Sequence, residues 1–417
     1  MTADAPEIRF ARAKAAAKQI ARLTSREKAD ALGAIADALV AGSARIVEAN
    51  SEDLDRGRAN GIGDSLLDRL ALTTERVGAL ADATRDVARL ADPVGEVVRG
   101  QRLPNGLRLE EVRVPFGVVG AIYEARPNVT VDIASLALRS GNAVVLRGGS
   151  AAASSNTVLV DIMREALRSC GVDPEAIQTV DEFGRVGANA MMTARGLIDV
   201  LVPRGSANLI ETVVTSSTVP VIETGAGNVH VVLDSSAPEE MAREITVNSK
   251  THRPSVCNSA ESVLVLRDAA ERLVPGVVAA LQQAGVTVHG DQTVQDLANG
   301  VVPATDDDWA TEYLTLDIAM RVVDTLDDAL DHIDRYSTHH TETIVTSDVA
   351  NAERFLAEVD SAAVYVNAST RFTDGGEYGF GAEVGISTQK LHARGPMGLP
   401  ELTSTKWIGR GAGQVRA

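Results

Sequence analysis

Short apolar runs recur along this chain and alternate with helical stretches, and no other feature restricts the fold as strongly. Strands that alternate with helices in this way are typical of doubly wound parallel sheets. The sequence therefore predicts an α/β fold. The strands are predicted at 117–122, 143–146, 197–202, 229–233, 262–266 and 362–366, and a helix is predicted at 268–284.

The length of the chain adds a second restriction. Hydrophobic cores stop growing at roughly 250–300 residues, so a chain of 417 residues is expected to form two main domains. The glycine-rich break at Gly225-Ala-Gly227 marks the boundary between them. The segment from 11 to 93 is predicted to be helical, with a capping box at Thr24-Ser-Arg-Glu27.

Between 94 and 114 the helical periodicity gives way to alternation around Pro104-Asn105-Gly106. Asn-Gly between two alternating segments is a strong signal for a β-hairpin. A long hairpin at this place is expected to expose its strand edges.

The charge and cysteine content of the chain limit its partners and its compartment. With 40 Lys and Arg against 57 Asp and Glu, the formal charge is -17, which repels a polyanion. We therefore expect no nucleic-acid partner. Two cysteines are too few for a disulfide framework, and neither a leader sequence nor a run of about 18 apolar residues occurs. These features predict a cytoplasmic protein without a membrane span.

Cys257 has the context best suited to nucleophilic chemistry. It stands in a polar segment ahead of an apolar strand, where His252 and Arg253 add positive potential that favours a thiolate. The other cysteine, Cys170, lies at a helix end. The local sequence leaves open that Cys257 is a small, buried apolar residue.

Two glycine-containing turns follow predicted strands, Arg147-Gly-Gly-Ser150 and Pro203-Arg-Gly-Ser206. Each is expected to bring backbone N–H groups and a helix N-terminus together, an arrangement that binds phosphate groups. Neither turn matches Gly-x-Gly-x-x-Gly, so a Rossmann fingerprint is not predicted. Ordinary strand-to-helix turns are the alternative for both.

Several further polar residues lie beside turns and apolar strands, namely Glu124, Glu223, Glu312 and Asn128. A lone Glu at such a place is usually a helix cap or a salt-bridge partner. The Asn128 amide could donate to an oxyanion, although Pro-Asn is also a turn signal. His339 and His340 lack the spacing of a metal-binding helix, so we expect them at the surface and predict no metal site.

Taken in order, these segments are similar to the aldehyde dehydrogenase superfamily, and most closely to its branch that reduces glutamyl phosphate in proline biosynthesis. The similarity covers nearly the whole chain. The most specific stretches are 115–132, 140–149, 253–258, 366–376 and 389–398. Matching stretches of this length do not arise by chance.

The resemblance implies an aldehyde dehydrogenase-like α/β fold with two doubly wound parallel-sheet domains and an oligomerisation hairpin. It assigns 1–93 and 115–227 to an NADP(H)-binding domain and 228–400 to a catalytic domain that carries the cysteine. It assigns 94–114 and 401–417 to oligomerisation elements. The expected assembly is a homodimer or tetramer, and a complex with glutamate 5-kinase is left open.

The resemblance also implies residues for the cofactor. Arg147 stands where the broad superfamily has a Lys on the adenosine ribose, and an Arg suits the 2′-phosphate of NADP(H). Arg204 and its neighbours correspond to the loop beneath the pyrophosphate, and Glu312 to the Glu on the nicotinamide ribose. The implied cofactor-binding set is Arg147, Gly148, Ser150, Arg204, Gly205, Ser206, Glu223, Gly225 and Glu312.

The implied reaction is the NADPH-dependent reduction of L-glutamyl 5-phosphate to L-glutamate 5-semialdehyde and phosphate, through a thioester on Cys257. Cys257 and Asn128 are the expected catalytic residues. The expected substrate-binding residues are Arg126, Arg253, Thr370 and Arg371.

Three other functions stand beside this one. A hydrolytic aldehyde dehydrogenase would use Glu223 as its base, but Glu-Thr-Gly-Ala-Gly departs from the Glu-Leu-Gly-Gly-Lys of that group. A cysteine hydrolase without a cofactor would use Cys257 and His252. A non-catalytic nucleotide-binding protein is the third alternative, and the presence of Cys257 and the loop motifs argues against it.

Overall fold

The computed structural model describes residues 5–124 and 126–416, in which helices and strands alternate along most of the chain. The helices are α1 (Pro6–Ile20), α2 (Ser25–Ala41), α3 (Ser43–Ala59), α4 (Asp64–Leu70), α5 (Thr74–Arg89), α6 (Pro127–Arg139), α7 (Ala153–Ser169), α8 (Gly184–Thr193), α9 (Ala207–Ser216), α10 (Glu239–Thr251), α11 (Arg267–Gln283), α12 (Gln292–Leu297), α13 (Leu326–Tyr336) and α14 (Val349–Glu358). The strands are β1 (Val97–Arg102), β2 (Arg108–Pro115), β3 (Val118–Tyr123), β4 (Ala143–Arg147), β5 (Ile177–Thr179), β6 (Val200–Arg204), β7 (Val229–Leu233), β8 (Ala260–Leu266), β9 (Thr287–Gly290), β10 (Val302–Pro303), β11 (Asp317–Val323), β12 (Thr341–Val345), β13 (Ala363–Val366), β14 (Gly385–Ser387), β15 (Gly395–Met397) and β16 (Thr403–Arg410).

The chain divides into two compact units. The first unit comprises Met1–Thr224, Gly379–Gly385 and Met397–Ala417, and the second comprises Gly225–Tyr378 and Ile386–Pro396. The second unit therefore begins at the first glycine of the Gly225-Ala-Gly227 segment. In the described parts of both units, no helix is long and apolar enough to cross a membrane.

The first unit is built on a four-stranded sheet in the order β5-β4-β3-β6, with every neighbouring pair parallel. All residues of β3 are buried, as expected for a parallel strand that is covered on both faces. The predicted capping box begins α2, where the Glu27 N–H donates to Thr24 Oγ1 at 3.3 Å and the Glu27 carboxylate accepts from the Thr24 N–H at 2.7 Å. That prediction is confirmed.

The predicted hairpin is also confirmed. β1 pairs antiparallel with β2, and Gly106 in the turn between them has a φ of 89°, which glycine adopts without strain. On its other side β2 pairs antiparallel with β16, which brings the C-terminal segment into the same three-stranded sheet. β1 and β16 are the edges of this sheet.

The second unit contains a seven-stranded parallel sheet in the order β10-β9-β11-β8-β7-β12-β13. Successive residues of β7 point to opposite faces, so Val231 belongs to one apolar cluster and Val232 to the other. The first cluster includes Leu273 of α11, and the second includes Ile333 of α13 and Phe355 of α14. Helices thus cover both faces, and the predicted α/β fold with doubly wound parallel sheets is confirmed.

The expectation that His339 and His340 lie at the surface is wrong for His340. The His340 side chain is fully buried, and its Nδ1 lies 2.8 Å from Thr341 Oγ1. Burial lowers its pKa to about 4. The physical reason is its position directly before β12, a strand whose residues are all buried.

Candidate active site

Cys257 lies in the loop between α10 and β8, residues 252–259, hereafter the Cys257 loop, and is partly buried. The loop is held beside the cysteine, because Asn258 Nδ2 donates to the Thr373 carbonyl oxygen at 2.7 Å. Cys170 differs: it is exposed at the end of α7, and its thiol donates to the Ala166 carbonyl oxygen at 3.3 Å. Of the two thiols, only Cys257 is presented by a loop ahead of a central strand.

Gly227 packs directly against the backbone of Cys257. A Cβ at Gly227 would lie 1.5 Å from the Cys257 carbonyl oxygen, so no side chain fits there. The Gly227 N–H donates to Glu312 Oε1 at 2.7 Å. Gly225 is also confined, since a Cβ there would lie 2.4 Å from Thr388 Cγ2. Gly227 is therefore needed for close packing against the Cys257 loop, and Gly225 for packing against Thr388.

Glu312 lies near a buried ion pair. Lys250 Nζ and Glu261 Oε2 are 2.6 Å apart, and neither side chain has exposed area. Burial raises the pKa of Glu312, whereas the Gly227 N–H and the charge of Lys250 lower it. Burial also raises the pKa of Glu261 and lowers that of Lys250, so it opposes both charges of the pair.

Sequence analysis did not single out Lys250 or Glu261. A local signal existed for Glu261, because it stands inside the apolar run of β8, whose residues are all buried. Charged residues are almost never fully buried unless they are paired. The sequence could not identify the partner, since Lys250 ends a helix and reaches Glu261 only through the fold.

The predicted substrate-binding residues of the second unit occupy different environments. Arg371 Nε donates to His252 Nδ1 at 3.3 Å, and Arg253 is exposed in the Cys257 loop. Thr370 is fully buried, and its hydroxyl donates to the Asn258 carbonyl oxygen at 2.7 Å. Thr370 thus holds the Cys257 loop, while the two arginines supply positive charge beside it.

In the first unit, the turn after β4 is held by a buried polar network that sequence analysis missed. The Gly148 N–H donates to Asp181 Oδ1 at 2.6 Å, and Asn156 Nδ2 donates to Asp181 Oδ2 at 3.0 Å. Thr130 Oγ1 donates to Asn156 Oδ1 at 2.8 Å and lies 2.7 Å from the Tyr123 hydroxyl. Burial raises the pKa of both Asp181 and Tyr123.

Arg147 ends β4 beside this network. Its Nε is buried and has no hydrogen-bond partner among the described residues. A buried donor without a partner is costly, and an anionic oxygen would satisfy it. Ser150 is exposed at the start of a short helical turn that leads into α7. These residues fit a phosphate-bearing cofactor.

The turn Pro203-Arg-Gly-Ser206 opens α9, as predicted, with Ser206 as the N-cap. The Glu124 carboxylate accepts from the Ser206 N–H and from its hydroxyl, both at 2.9 Å. Glu124 is therefore not the cap itself but holds the N-cap residue Ser206 in place. A Cβ at Gly205 would lie 2.7 Å from Glu124 Oε2, so a larger residue there would displace the Glu124 carboxylate.

Asn128 lies on the first turn of α6, and its Nδ2 donates to Asp132 Oδ2 at 3.0 Å. Burial raises the pKa of Asp132 to about 6, although the Asn128 hydrogen bond and the charge of Arg204 lower it. Arg126 is the N-cap residue of the same helix, and Glu223 is half-buried ahead of the glycine-rich segment.

The fold brings the two phosphate-binding candidates to one edge of the first unit's sheet. β4 and β6 lie on either side of β3, and all three are parallel, so the turns at Arg147 and Arg204 leave the same carboxyl edge. The strand order reverses at β3, which is where ligands bind in open α/β sheets. Among the described residues, no cluster of His, Cys, Asp and Glu could hold a metal ion.

Comparison with known proteins identifies the family. Residues 1–300 match the model of the aldehyde dehydrogenase family. A gamma-glutamyl phosphate reductase of Clavibacter michiganensis is 65% identical over 416 residues, covering 100% of this chain and 96% of the relative. The chain belongs to the aldehyde dehydrogenase family, in its gamma-glutamyl phosphate reductase group. It is therefore an oxidoreductase of a family that uses nicotinamide cofactors.

Two solved structures are similar to the chain. The gamma-glutamyl phosphate reductase of Thermotoga maritima is 45% identical, with a TM-score of 0.97 over 99% of this chain and 100% of that one. An acetylating aldehyde dehydrogenase of Geobacillus thermoglucosidasius is 20% identical, with a TM-score of 0.72 over 99% of this chain and 97% of that one. The second likeness concerns the fold alone, and both agree with the predicted aldehyde dehydrogenase-like fold.

Proposed function

We propose that this chain reduces L-glutamyl 5-phosphate to L-glutamate 5-semialdehyde and phosphate with NADPH, through a thioester on Cys257, as a step of proline biosynthesis. The observation that carries the proposal is the Cys257 loop, which presents a partly buried thiol between the fixed contacts of Gly227 and Asn258. The full-length likeness to gamma-glutamyl phosphate reductases supports the choice of substrate.

The Cys257 thiolate attacks the acyl carbon, a carbon–sulfur bond forms, and phosphate leaves with the electrons of the broken carbon–oxygen bond. The Cys257 backbone N–H is one donor for the oxyanion. The Asn128 amide has two hydrogens and gives one to Asp132, so it keeps a second for this role. Each such donor contributes about 2.7–4 kcal/mol when well placed.

NADPH, when bound, supplies the hydride that reduces the thioester to the aldehyde. Arg147 is proposed to bind its 2′-phosphate, because the buried Nε lacks a partner among the described side chains. Glu312 is proposed to bind the nicotinamide ribose. The remaining residues proposed to hold the cofactor are Gly148, Ser150, Arg204, Gly205, Ser206, Glu223 and Gly225.

Arg126, Arg253 and Arg371 are proposed to bind the α-carboxylate and phosphate of the substrate, because a chain of net charge -17 needs local cations for an anionic ligand. Thr370 is proposed to contribute to substrate binding by holding Asn258, because its hydroxyl donates a hydrogen bond to the Asn258 carbonyl oxygen. The semialdehyde carries an amine within reach of its aldehyde, so it is expected to cyclise unaided.

The three-stranded sheet is proposed as the oligomerisation element of a homodimer or tetramer. Its edge strands β1 and β16 leave backbone groups available for pairing with another copy. Val97 and Trp407 on these strands are 52% and 50% exposed. Deletion of residues 97–112 is expected to lower the mass measured by light scattering.

The hydrolytic alternative is tested by the acceptor of the acyl group. In the reverse direction, the semialdehyde and NADP+ are incubated with and without inorganic phosphate, and NADPH formation is followed by absorbance. We expect catalytic NADPH formation only with phosphate, replacement of phosphate by arsenate, and substantial phosphate-dependent activity in Glu223→Gln. Catalytic NADPH formation without phosphate, with free glutamate as the product, would show the hydrolytic reaction instead.

A further inference from the structure

The buried pair of Lys250 and Glu261 has no role in the proposed reaction. The two groups are 2.6 Å apart and both side chains are fully buried. A buried ion pair rarely stabilises a fold more than apolar residues of the same volume. Its presence in the centre of the second unit therefore calls for a role beyond stability.

Glu261 holds a strained turn. Leu314 has a φ of 58°, a left-handed conformation that a bulky residue keeps only when its surroundings impose it. The Leu314 N–H donates to Glu261 Oε1 at 3.4 Å. The preceding residue, Tyr313, is held as well: its hydroxyl donates to Asp308 Oδ1 at 2.5 Å, and its ring stacks on His289 at 5.3 Å.

Lys250 faces the same turn. Its Nζ lies 5.9 Å from the centre of the Tyr313 ring, a cation–π distance. It also interacts electrostatically with Glu261, Glu312 and Asp317. One buried cation thus attracts three carboxylates around this turn.

The turn is connected to the nucleophile by contacts within the second unit. Glu312 directly precedes Tyr313, and its Oε1 accepts from the Gly227 N–H at 2.7 Å. Gly227 in turn lies against the carbonyl group of Cys257, where not even a Cβ fits. Displacement of Glu312 would therefore release Gly227 and loosen the backbone that carries the thiol.

We propose that Lys250 and Glu261 are positioning residues: they hold the turn at Tyr313 and Leu314 and thereby keep Glu312 directed at Gly227, which fixes the Cys257 backbone. The inference rests on the proposed roles of Cys257 and Glu312. The ion pair would then affect both cofactor binding and the nucleophile, because Glu312 is proposed to bind the cofactor and also contacts Gly227 beside the Cys257 loop.

The test is a double-mutant cycle between the ion pair and Glu312. The variants are Lys250→Met/Glu261→Met, which removes both charges without leaving one buried alone, Glu312→Gln, and their combination. Two quantities are measured on folded protein: the NADPH dissociation constant by fluorescence titration, and the rate at which iodoacetamide alkylates Cys257 without cofactor. Neither needs turnover, so both are readable even if the chain does not reduce glutamyl phosphate.

We expect the Met pair and Glu312→Gln each to raise the NADPH dissociation constant about tenfold, as for one lost charge-assisted hydrogen bond. Each should speed alkylation several-fold, because the partly buried thiol becomes more exposed. In the combined variant, the NADPH dissociation constant and the alkylation rate should be no higher than in either variant alone. Additive effects, or unchanged values in the folded Met pair, would overturn the proposal.

A rescue variant and a control separate positioning from stability. Adding Leu314→Gly to the Met pair should restore much of the NADPH affinity, because glycine keeps the left-handed turn without Glu261. Lys28 and Asp92 form a largely buried pair in the first unit, 2.6 Å apart, with 2% and 10% of their side chains exposed. Lys28→Met/Asp92→Asn should leave both measured quantities within about twofold of wild type, because the proposal gives this pair no part in holding Glu312.

If the Met pair does not fold, Glu261→Gln replaces it in the cycle. This variant keeps the shape of the side chain and one oxygen acceptor for the Leu314 N–H. We expect about a threefold rise in the NADPH dissociation constant, because a neutral hydrogen bond is weaker than a charged one. No change in either quantity for this variant would overturn the proposal.

Discussion

Each unit contains a glycine whose N–H group donates to a partly buried carboxylate next to a proposed ligand site. In the first unit Gly148 donates to Asp181 Oδ1 at 2.6 Å, and in the second Gly227 donates to Glu312 Oε1 at 2.7 Å. Burial raises the pKa of both carboxyl groups. The two arrangements nevertheless differ in what lies against the glycine and in what balances the carboxylate.

The neighbour of the glycine is a side chain in one unit and backbone in the other. A Cβ at Gly148 would lie 2.0 Å from Asn156 Nδ2, whereas a Cβ at Gly227 would lie 1.5 Å from the Cys257 carbonyl oxygen. A side-chain amide can rotate away at the expense of its hydrogen bonds. A peptide group can move only if its loop moves with it.

The carboxylates also differ in their partners. Asp181 is stabilised mainly by neutral donors, namely Asn156, the Gly148 N–H and Thr179, and also by the charge of Arg147. Glu312 relies on the Gly227 N–H and on the charge of Lys250. The proposed cofactor turn is thus held by hydrogen bonds, and the proposed catalytic loop by buried charge.

The largest expected effect tests whether the chemistry belongs to the second unit. Cys257→Ser should lower turnover by roughly a thousandfold or more, as for other covalent nucleophiles, because a hydroxyl without an activating base is a poor nucleophile. Cys170→Ser, the matched change in the first unit, should keep near wild-type activity. An equal loss in both variants, or activity left in Cys257→Ser, contradicts the assignment.

Alanine at the two glycines tests the comparison directly. Gly227→Ala must shift the Cys257 peptide and should lower kcat roughly a hundredfold, the effect of misplacing a reacting group by about 1 Å. Gly148→Ala should act mainly on cofactor binding, with a severalfold higher KM for NADPH and little change in kcat. Steady-state kinetics of both variants are the measurement. A larger loss of kcat in Gly148→Ala than in Gly227→Ala would contradict the comparison.

The sequence predicted what depends on local pattern. The hairpin follows from Asn105 and Gly106 between two alternating segments, and the α2 cap follows from Thr24 and Glu27. The structure confirms both. The pairing of β16 with β2 depends on segments far apart in the chain, and no local pattern indicates it. Only the family resemblance had grouped those segments together.

The candidate site was only partly visible for the same reason. Cys257 and the confined glycines stand in recognisable motifs. Asp181 and Lys250 do not, because their roles depend on Gly148 and Glu261, which only the fold brings close to them. His340 shows the opposite error, since a polar residue was expected at the surface and the neighbouring strand buries it. Burial of single polar residues is set by packing, which sequence alone does not show.

Reversal of the charge of Arg147 tests the proposed cofactor turn of the first unit. Arg147→Glu should raise the KM for NADPH at least about tenfold more than the KM for NADH, because a carboxylate repels a 2′-phosphate. Arg147→Gln, which removes the charge without reversing it, should show a smaller effect in the same direction. Parallel changes for the two cofactors would mean that Arg147 has a structural role instead.

The smallest effect concerns Asp132, a carboxylate of the first unit that accepts from a neutral amide, whereas Glu261 is paired with a lysine. Asp132 accepts from Asn128 at 3.0 Å, and burial raises its pKa to about 6. A raised folded-state pKa means that the folded protein binds the proton more tightly than the unfolded chain. This contribution to stability is therefore fully present below the unfolded pKa near 4 and is lost as pH rises through 6.

Asp132→Asn keeps the oxygen that accepts from Asn128 and removes the charge. The variant should therefore not lose stability when the pH rises through 6. Chemical denaturation at pH 4 and pH 8 is the measurement. At pH 4 the variant and the wild type should unfold at nearly the same denaturant concentration. At pH 8 the variant should be more stable by about 1–2 kcal/mol, allowing for solvent screening of a partly exposed group. Groups that titrate in both proteins cancel in this difference, so equal midpoints at both pH values would show that Asp132 ionises in the folded protein without a penalty.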